Sequence, residues 1–174
     1  MKIRINKKKG IFFRISGLPG SGKTRISQKL LPKIKKEFGP TIMWSGDDIR
    51  RIFKNRKYSL KDRIEFGVMN IKLAKFFLGQ KINVIFATVG LDEGIRKYTK
   101  KNIENYIEIL ISVDLKKLKN SNIRKFYKSG SKNVWGNDIK PSFPKKPTVK
   151  IKNNFKDSLD RISSRVLTQI LKIT

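Results

Sequence analysis

The octapeptide Gly17-Leu18-Pro19-Gly20-Ser21-Gly22-Lys23-Thr24 constrains this chain more than any other stretch. It has the spacing G-x-x-x-x-G-K-[ST], follows the apolar run Ile11-Phe12-Phe13-Arg14-Ile15 and opens a helical pattern, the strand–loop–helix setting of a phosphate-binding loop. Glycines let successive backbone N–H groups point inward at phosphate oxygens, and the N-terminus of the following helix adds its positive dipole end. Gly17, Pro19, Gly20, Ser21 and Gly22 would shape the cradle. Lys23 would reach the β- and γ-phosphates, and the Thr24 hydroxyl would hold Mg2+. A nucleotide phosphate is the expected ligand.

The rest of the chain alternates short apolar runs with helical patterns. Runs at 11–16, 41–44, 84–88, 106–114 and 148–151 read as strands. Helices are expected after the phosphate loop, over a short stretch 49–53, and over 61–80, 91–102 and 155–170. Such alternation argues an α/β fold of three layers in which helices flank a parallel sheet. At 174 residues we expect one domain over 1–174. Lys2-Ile3-Arg4-Ile5 alternates, so residues 1–10 are expected as a small hairpin or edge strand. Ser59 is the expected N-cap of the 61–80 helix, with Asp62 in its first turn. The stripe Phe155, Leu159, Ile162, Val166 and Ile170 is assigned to core packing. Residues 116–146, rich in Lys, Asn, Gly and Pro, are expected to form a basic lid and substrate loop.

Charge and missing residue types narrow the chemistry. With 42 Lys+Arg against 13 Asp+Glu the net charge is +29, which attracts polyanions. The basic residues are spread along the chain, which disfavours a dedicated nucleic-acid surface; Arg124-Lys125-Phe126-Tyr127-Lys128 is the stretch that keeps that competing reading open. No cysteine and no histidine are present, so a general base at neutral pH must be a carboxylate or a tuned lysine. No apolar run approaches a membrane span, and a cytoplasmic protein is expected.

The available carboxylate is Asp47, just past the 41–44 strand, where functional groups collect at the carboxyl edge of a parallel sheet. Its neighbour Asp48 suits helix capping better. Nothing resembles the water-positioning or guanine-recognition motifs of GTPases. Arg50 and Arg63 suit an anionic acceptor, because the guanidinium fork contacts phosphate oxygens in pairs. Tyr58 is an aromatic that either stacks on a base or lies on a rim.

Taken in order, Gly17 to Thr24, Gly46-Asp47-Asp48-Ile49-Arg50 and Tyr58-Ser59-Leu60-Lys61-Asp62-Arg63 resemble the adenylylsulfate kinase family, with its phosphate loop, G-D-N-V-R segment and aromatic-S-x-x-D-R segment. Lys132-Asn133-Val134-Trp135-Gly136 is similar to its K-N-F-T-G loop, and Pro144 to Asn153 to its proline-rich approach to a last strand. The resemblance implies MgATP-dependent phosphorylation of the ribose 3′-hydroxyl of a small nucleotide. It makes Asp47 the catalytic carboxylate beside Lys23 and gives Arg50 and Arg63 the acceptor's anionic group. Tyr58 would stack on the acceptor base, while Lys132 and Asn133 close over the substrates. A homodimer is allowed. The departures are Ser45 for the family's first aspartate, Phe66 for an acceptor-side asparagine, Thr88-Val89-Gly90-Leu91 for F-I-S-P, Val134 for a stacking phenylalanine, and Lys119-Asn120 for an R-D pair at the ATP base. Most of them fall on the acceptor side, at a pocket that includes Phe66. A related branch that phosphorylates cytidine diphosphoramidate is therefore the alternative acceptor reading.

Overall fold

A computed structural model describes residues 3–120 and 132–174, with only the backbone of Lys117, Lys119 and Asn120. Five strands, β1 (Phe12–Ser16), β2 (Thr41–Ser45), β3 (Asn83–Ala87), β4 (Tyr106–Ser112) and β5 (Val149–Lys152), form one sheet in the order β2-β3-β1-β4-β5. Every pairing is parallel. The helices are α1 (Lys23–Phe38), α2 (Gly46–Ile52), α3 (Leu60–Gly79), α4 (Glu93–Asn102), α5 (Leu115–Asn120) and α6 (Leu159–Leu171). The expected three-layer arrangement is the observed one.

Two cores cover the two sheet faces. Phe13, Ile15, Ile85, Ile109 and Ile111 pack against Ile26, Leu30 and Ile34 of α1 and Ile162, Val166 and Ile170 of α6. On the other face Phe12, Val84 and Phe86 meet Ile71, Ala74 and Leu78 of α3 and Ile95 of α4. Side chains alternate faces along a strand, so a central strand covered on both sides is apolar throughout. Arg14 breaks that rule. It lies on the Phe12 face at zero exposure, in register with Phe86 on one side and Glu108 on the other. A smaller cluster, Leu18, Leu91, Leu110, Leu118 and Trp135, closes the carboxyl end of the sheet.

Residues 3–10 form no strand. Both neighbours of β1 are already taken, so the chain entering it emerges below the middle of the sheet. The buried Asn105 side chain instead accepts from the Asn6 N–H at 2.8 Å and donates to the Asn6 carbonyl, while Ile3 N–H donates to the Ile173 carbonyl. Phe155 also departs from expectation: α6 begins at Leu159, capped by the Ser158 hydroxyl, and Phe155 lies outside the helix, 42% exposed. The short helix expected at 49–53 begins earlier, at Gly46, which puts Asp47 in its first turn rather than on the strand end. Within 116–146, residues up to Asn120 belong to α5, and 132–146 are irregular apart from a Trp135–Ile139 bridge. Residues 121–131, including the basic aromatic stretch, lie outside the described residues.

Candidate active site

Strand β1 ends at the phosphate loop, and the loop ends in a helix start of unusual chemistry. Gly22, at φ 89°, takes a left-handed conformation that a side chain would resist, and it makes no side-chain cap on α1. Ser45, Ser59, Asp92 and Ser158 cap α2, α3, α4 and α6 with their side chains. Helix α1 also has no acidic residue in its first turn. Its N-terminal N–H groups and positive dipole end are thus left for an anion. The buried Lys23 ammonium donates to the Leu18 carbonyl at 2.8 Å, which folds the side chain back over the loop.

In front of this loop lies a cavity of about 1020 Å3. Pro19, Gly20, Gly22, Lys23 and Thr24 line one side, and Asp47, Tyr58, Arg63, Lys132 and Asn133 line the other. A side cavity of about 90 Å3 shares Asp47, Tyr58 and Arg63 and adds Arg14, Arg50 and Phe66. The sequence-derived candidates are therefore brought together, with two exceptions. Gly17 and Ser21 are buried behind the loop and touch neither cavity.

Local caps explain how the far wall is held. The Ser45 hydroxyl accepts from the Asp48 N–H and the Asp48 carboxylate accepts from the Ser45 N–H, a reciprocal box that leaves Asp47 exposed beside the loop. Burial acts to raise the Asp48 pKa, but the Ser45 hydrogen bonds and the Arg51 charge outweigh it, and the pKa is lowered. The same box recurs at Ser59 and Asp62, so the expected cap of α3 is observed.

Arg50 is buried between two rings, its guanidinium carbon 4.5 Å from the Tyr58 centroid and 4.1 Å from that of Phe66. Its Nη1 donates to Asn55 Oδ1 and to the Lys57 carbonyl. One face of Tyr58 is thus already covered by a cation. Arg63 donates through Nε to the Tyr58 carbonyl at 2.8 Å and through Nη2 to the Asn133 carbonyl, tying α3 to the 132–138 loop. Burial lowers the pKa of both arginines, with the neighbouring Arg50 charge adding to the effect on Arg63. Neither arginine has a carboxylate within ion-pair distance among the described residues. The loop itself is shaped by Asp138, whose carboxylate accepts the Val134 and Asn133 N–H groups; the Val134 bond, foremost, lowers its pKa.

Arg14 and Phe155 escape motif reading. Arg14 was visible only as a charge inside the apolar strand Phe12–Ser16. Trp135, from the Lys132–Gly136 motif, is buried and lines both cavities. Phe155 lines the large one because Asn153 Oδ1 accepts the Phe155 N–H at 2.9 Å and Asn153 Nδ2 donates to the Ser21 carbonyl, docking the turn against the phosphate loop. The paired asparagines before Ser158 were the available signal.

A parallel sheet in this order, with an uncapped phosphate-loop helix facing a carboxylate and two arginines across one cleft, defines a P-loop kinase. More narrowly, the chain belongs to the adenylylsulphate kinase family, whose model matches residues 9–152. The cytidine diphosphoramidate kinase of Campylobacter jejuni is 34% identical over 150 residues, 84% of this chain and 88% of that one. An adenylyl-sulfate kinase of Pseudomonas aeruginosa is 28% identical over 144 residues, 79% of this chain and 74% of its own length. The adenylylsulfate kinase CysC of Mycobacterium tuberculosis, solved in complex with AMPPNP and APS, superposes with a TM-score of 0.81 at 18% identity, covering 94% of this chain and 98% of that one. The chain is accordingly an ATP-dependent phosphotransferase of the nucleotide-kinase type. The family uses ATP with Mg2+. No cluster of three metal-ligating side chains occurs among the described residues. Mg2+ is commonly held through one or two protein oxygens plus substrate phosphates, and Thr24 and Asp47 both line the large cavity. Nor is any helix among the described residues long and apolar enough to cross a membrane.

Proposed function

We propose that the cleft transfers the γ-phosphoryl group of ATP to the ribose 3′-hydroxyl of a small nucleotide. The observation that carries this reading is that Asp47, Tyr58 and Arg63 line the same cavity as Lys23 and Thr24. In this reading the N–H groups at the start of α1 and the Lys23 ammonium hold the β- and γ-phosphates, and the Thr24 hydroxyl would hold Mg2+, which would supply further positive charge at the transferred group. Asp47 orients the acceptor hydroxyl and accepts its proton. The new bond joins the 3′-oxygen to the γ-phosphorus, the bond to the β–γ bridging oxygen breaks, and ADP leaves. Arg50 and Arg63, with no carboxylate in ion-pair distance among the described residues, receive the acceptor's anionic group, and Tyr58 stacks on its base. Phe155 takes the adenine of ATP. Lys132 and Asn133 close the opening, with Asn133 already held through Arg63. The enzyme is proposed to work in the cytoplasm as one kinase domain, alone or as a homodimer.

Radiolabelled ATP with adenylylsulfate, cytidine diphosphoramidate and common nucleoside phosphates as acceptors tests the reading. Label appearing at a 3′-position of one acceptor is the expected result. Transfer to none of them, or tight salt-sensitive nucleic-acid binding without turnover, overturns it.

A further inference from the structure

The proposed catalytic scheme leaves one buried group unused. Arg14, on the central strand, has a side chain only 1% exposed and lines the side cavity with Arg50, Tyr58 and Arg63. Its Nη2 donates to the Gly90 carbonyl at 2.6 Å, and Nη1 lies 3.5 Å from both the Tyr106 hydroxyl and Glu108 Oε1. Neither Arg14 Nε nor Glu108 Oε1 has a hydrogen-bond partner, although both are buried. An arginine carries five N–H donors, and the hydrogen bonds to Tyr106 and Gly90 engage two of them.

Such a pair is a poor device for stability. Desolvating two charges costs about as much as their attraction returns, and well-packed apolar residues in the same place are often as good or better. Leaving a buried donor unsatisfied adds a further penalty. The backbone is nevertheless built around the guanidinium. Gly90 sits at φ 43°, and a Cβ there would lie 2.3 Å from Arg14 Nη2. Beside Asp47, the arginines and Thr88, the cavity that Arg14 lines has apolar walls that include Phe66, Phe86, Ile95 and Trp135, a slot suited to a planar ring.

Charge decides what the spare donors meet. Arg50 and Arg63 have no carboxylate within ion-pair distance among the described residues, and they suit the anionic part of an acceptor. Arg14 is neutralised by Glu108 and suits a neutral hydrogen-bond acceptor instead. We propose that Arg14 is a specificity-determining residue: its unused N–H donors read the edge of the acceptor base, selecting a base that places a carbonyl oxygen beside an unprotonated ring nitrogen. Cytosine offers that pair at O2 and N3; guanine offers it at O6 and N7 but is the larger base for a cavity of about 90 Å3. Adenine sets its amino donor next to N1 and next to N7, so a guanidinium in register meets a donor. Uracil has a proton on N3. The inference rests on the nucleotide-acceptor reading above and adds the base.

The test is equilibrium binding of cytidine, uridine and adenosine 5′-monophosphates to the full chain with its donor site saturated by ADP and Mg2+. The expected result is tighter binding of the cytidine nucleotide than of the other two, by roughly 5- to 150-fold, the range of one good bidentate base contact. Arg14→Lys keeps the charge opposite Glu108 but not the fork. The double variant Arg14→Met with Glu108→Leu removes both partners. Both variants are expected to bring the three affinities within about twofold of one another and to leave ADP affinity unchanged, with circular dichroism confirming the fold. No cytidine preference in the wild type, or the same preference in a folded variant, overturns the proposal. A wild type that prefers cytidine in binding but transfers no phosphate to any cytidine acceptor leaves Arg14 as base reader and sinks the kinase acceptor reading instead.

Discussion

Replacing Lys23 by methionine separates what the phosphate loop does for catalysis from what it does for the fold. The side chain is 8% exposed, and its ammonium makes a 2.8 Å hydrogen bond to the Leu18 carbonyl. Methionine preserves most of the buried stem and deletes the charge. The lost bond, donated by a charged group, contributes about 1.5–3 kcal/mol, and relief from burying the ammonium offsets part of it. The net stability change should stay below about 2 kcal/mol, a fall in melting temperature of roughly 8 °C or less for a chain of this size. Catalysis should suffer more. Removing one preorganised donor aimed at developing transition-state charge costs about 100- to 1,000-fold in kcat. The uncapped start of α1 remains to bind phosphate, so ATP binding should weaken less than turnover falls. Thermal unfolding, ADP binding and steady-state transfer with labelled ATP measure the three effects separately. A folded variant that keeps kcat within tenfold of wild type would refute the assignment of Lys23 to the transferred phosphoryl group.

Phe155→Ala should raise KM for ATP by roughly 5- to 150-fold, the range for one stacked base. It should leave the acceptor KM and the fold unchanged, because the ring is 42% exposed and outside α6. An unchanged ATP KM places the adenine elsewhere. Acid should destabilise the protein over a defined window. Asp48, Asp62 and Asp138 all have folded-state pKa values below their unfolded ones, so their contribution is fully present above about pH 4 and is lost as pH falls through the lowered values. A melting temperature that is flat from pH 7 to about 4.5 and drops below pH 4 is expected. Asp62→Asn should shrink the drop, and a flat profile down to pH 2.5 would contradict the capping argument.

The near wall of the site was legible because a phosphate loop is a local object. Its geometry depends on glycine spacing and on a helix that starts at Lys23, all within eight consecutive residues. The capping box at Ser59 and Asp62 was legible for the same reason. Strand and helix alternation carried the parallel sheet, since apolar runs of strand length separated by helical patterns have few other packings. Misreadings fell where a local pattern met a distant partner. Lys2-Ile3-Arg4-Ile5 alternates like a strand, but β1 has both neighbours taken and Asn105 binds the incoming chain instead. Phe155 continues an apolar period, but the Asn153 turn places it in the cavity.

The sequence by itself thus determined the phosphate loop, the sheet-and-helix order and the candidate residues that line the cleft, because each rests on spacing within one element or on composition. Tertiary structure decided how those residues are used. Only the pairing of β1 with β4 sets Arg14 beside Glu108, and only the approach of α2 to α3 slides the Arg50 guanidinium between Tyr58 and Phe66. These contacts join positions from 8 to 94 residues apart, and no local period encodes them. The charge in the middle of an apolar strand looked like an exception in the sequence; in the folded chain it lines the side cavity with Arg50, Tyr58 and Arg63.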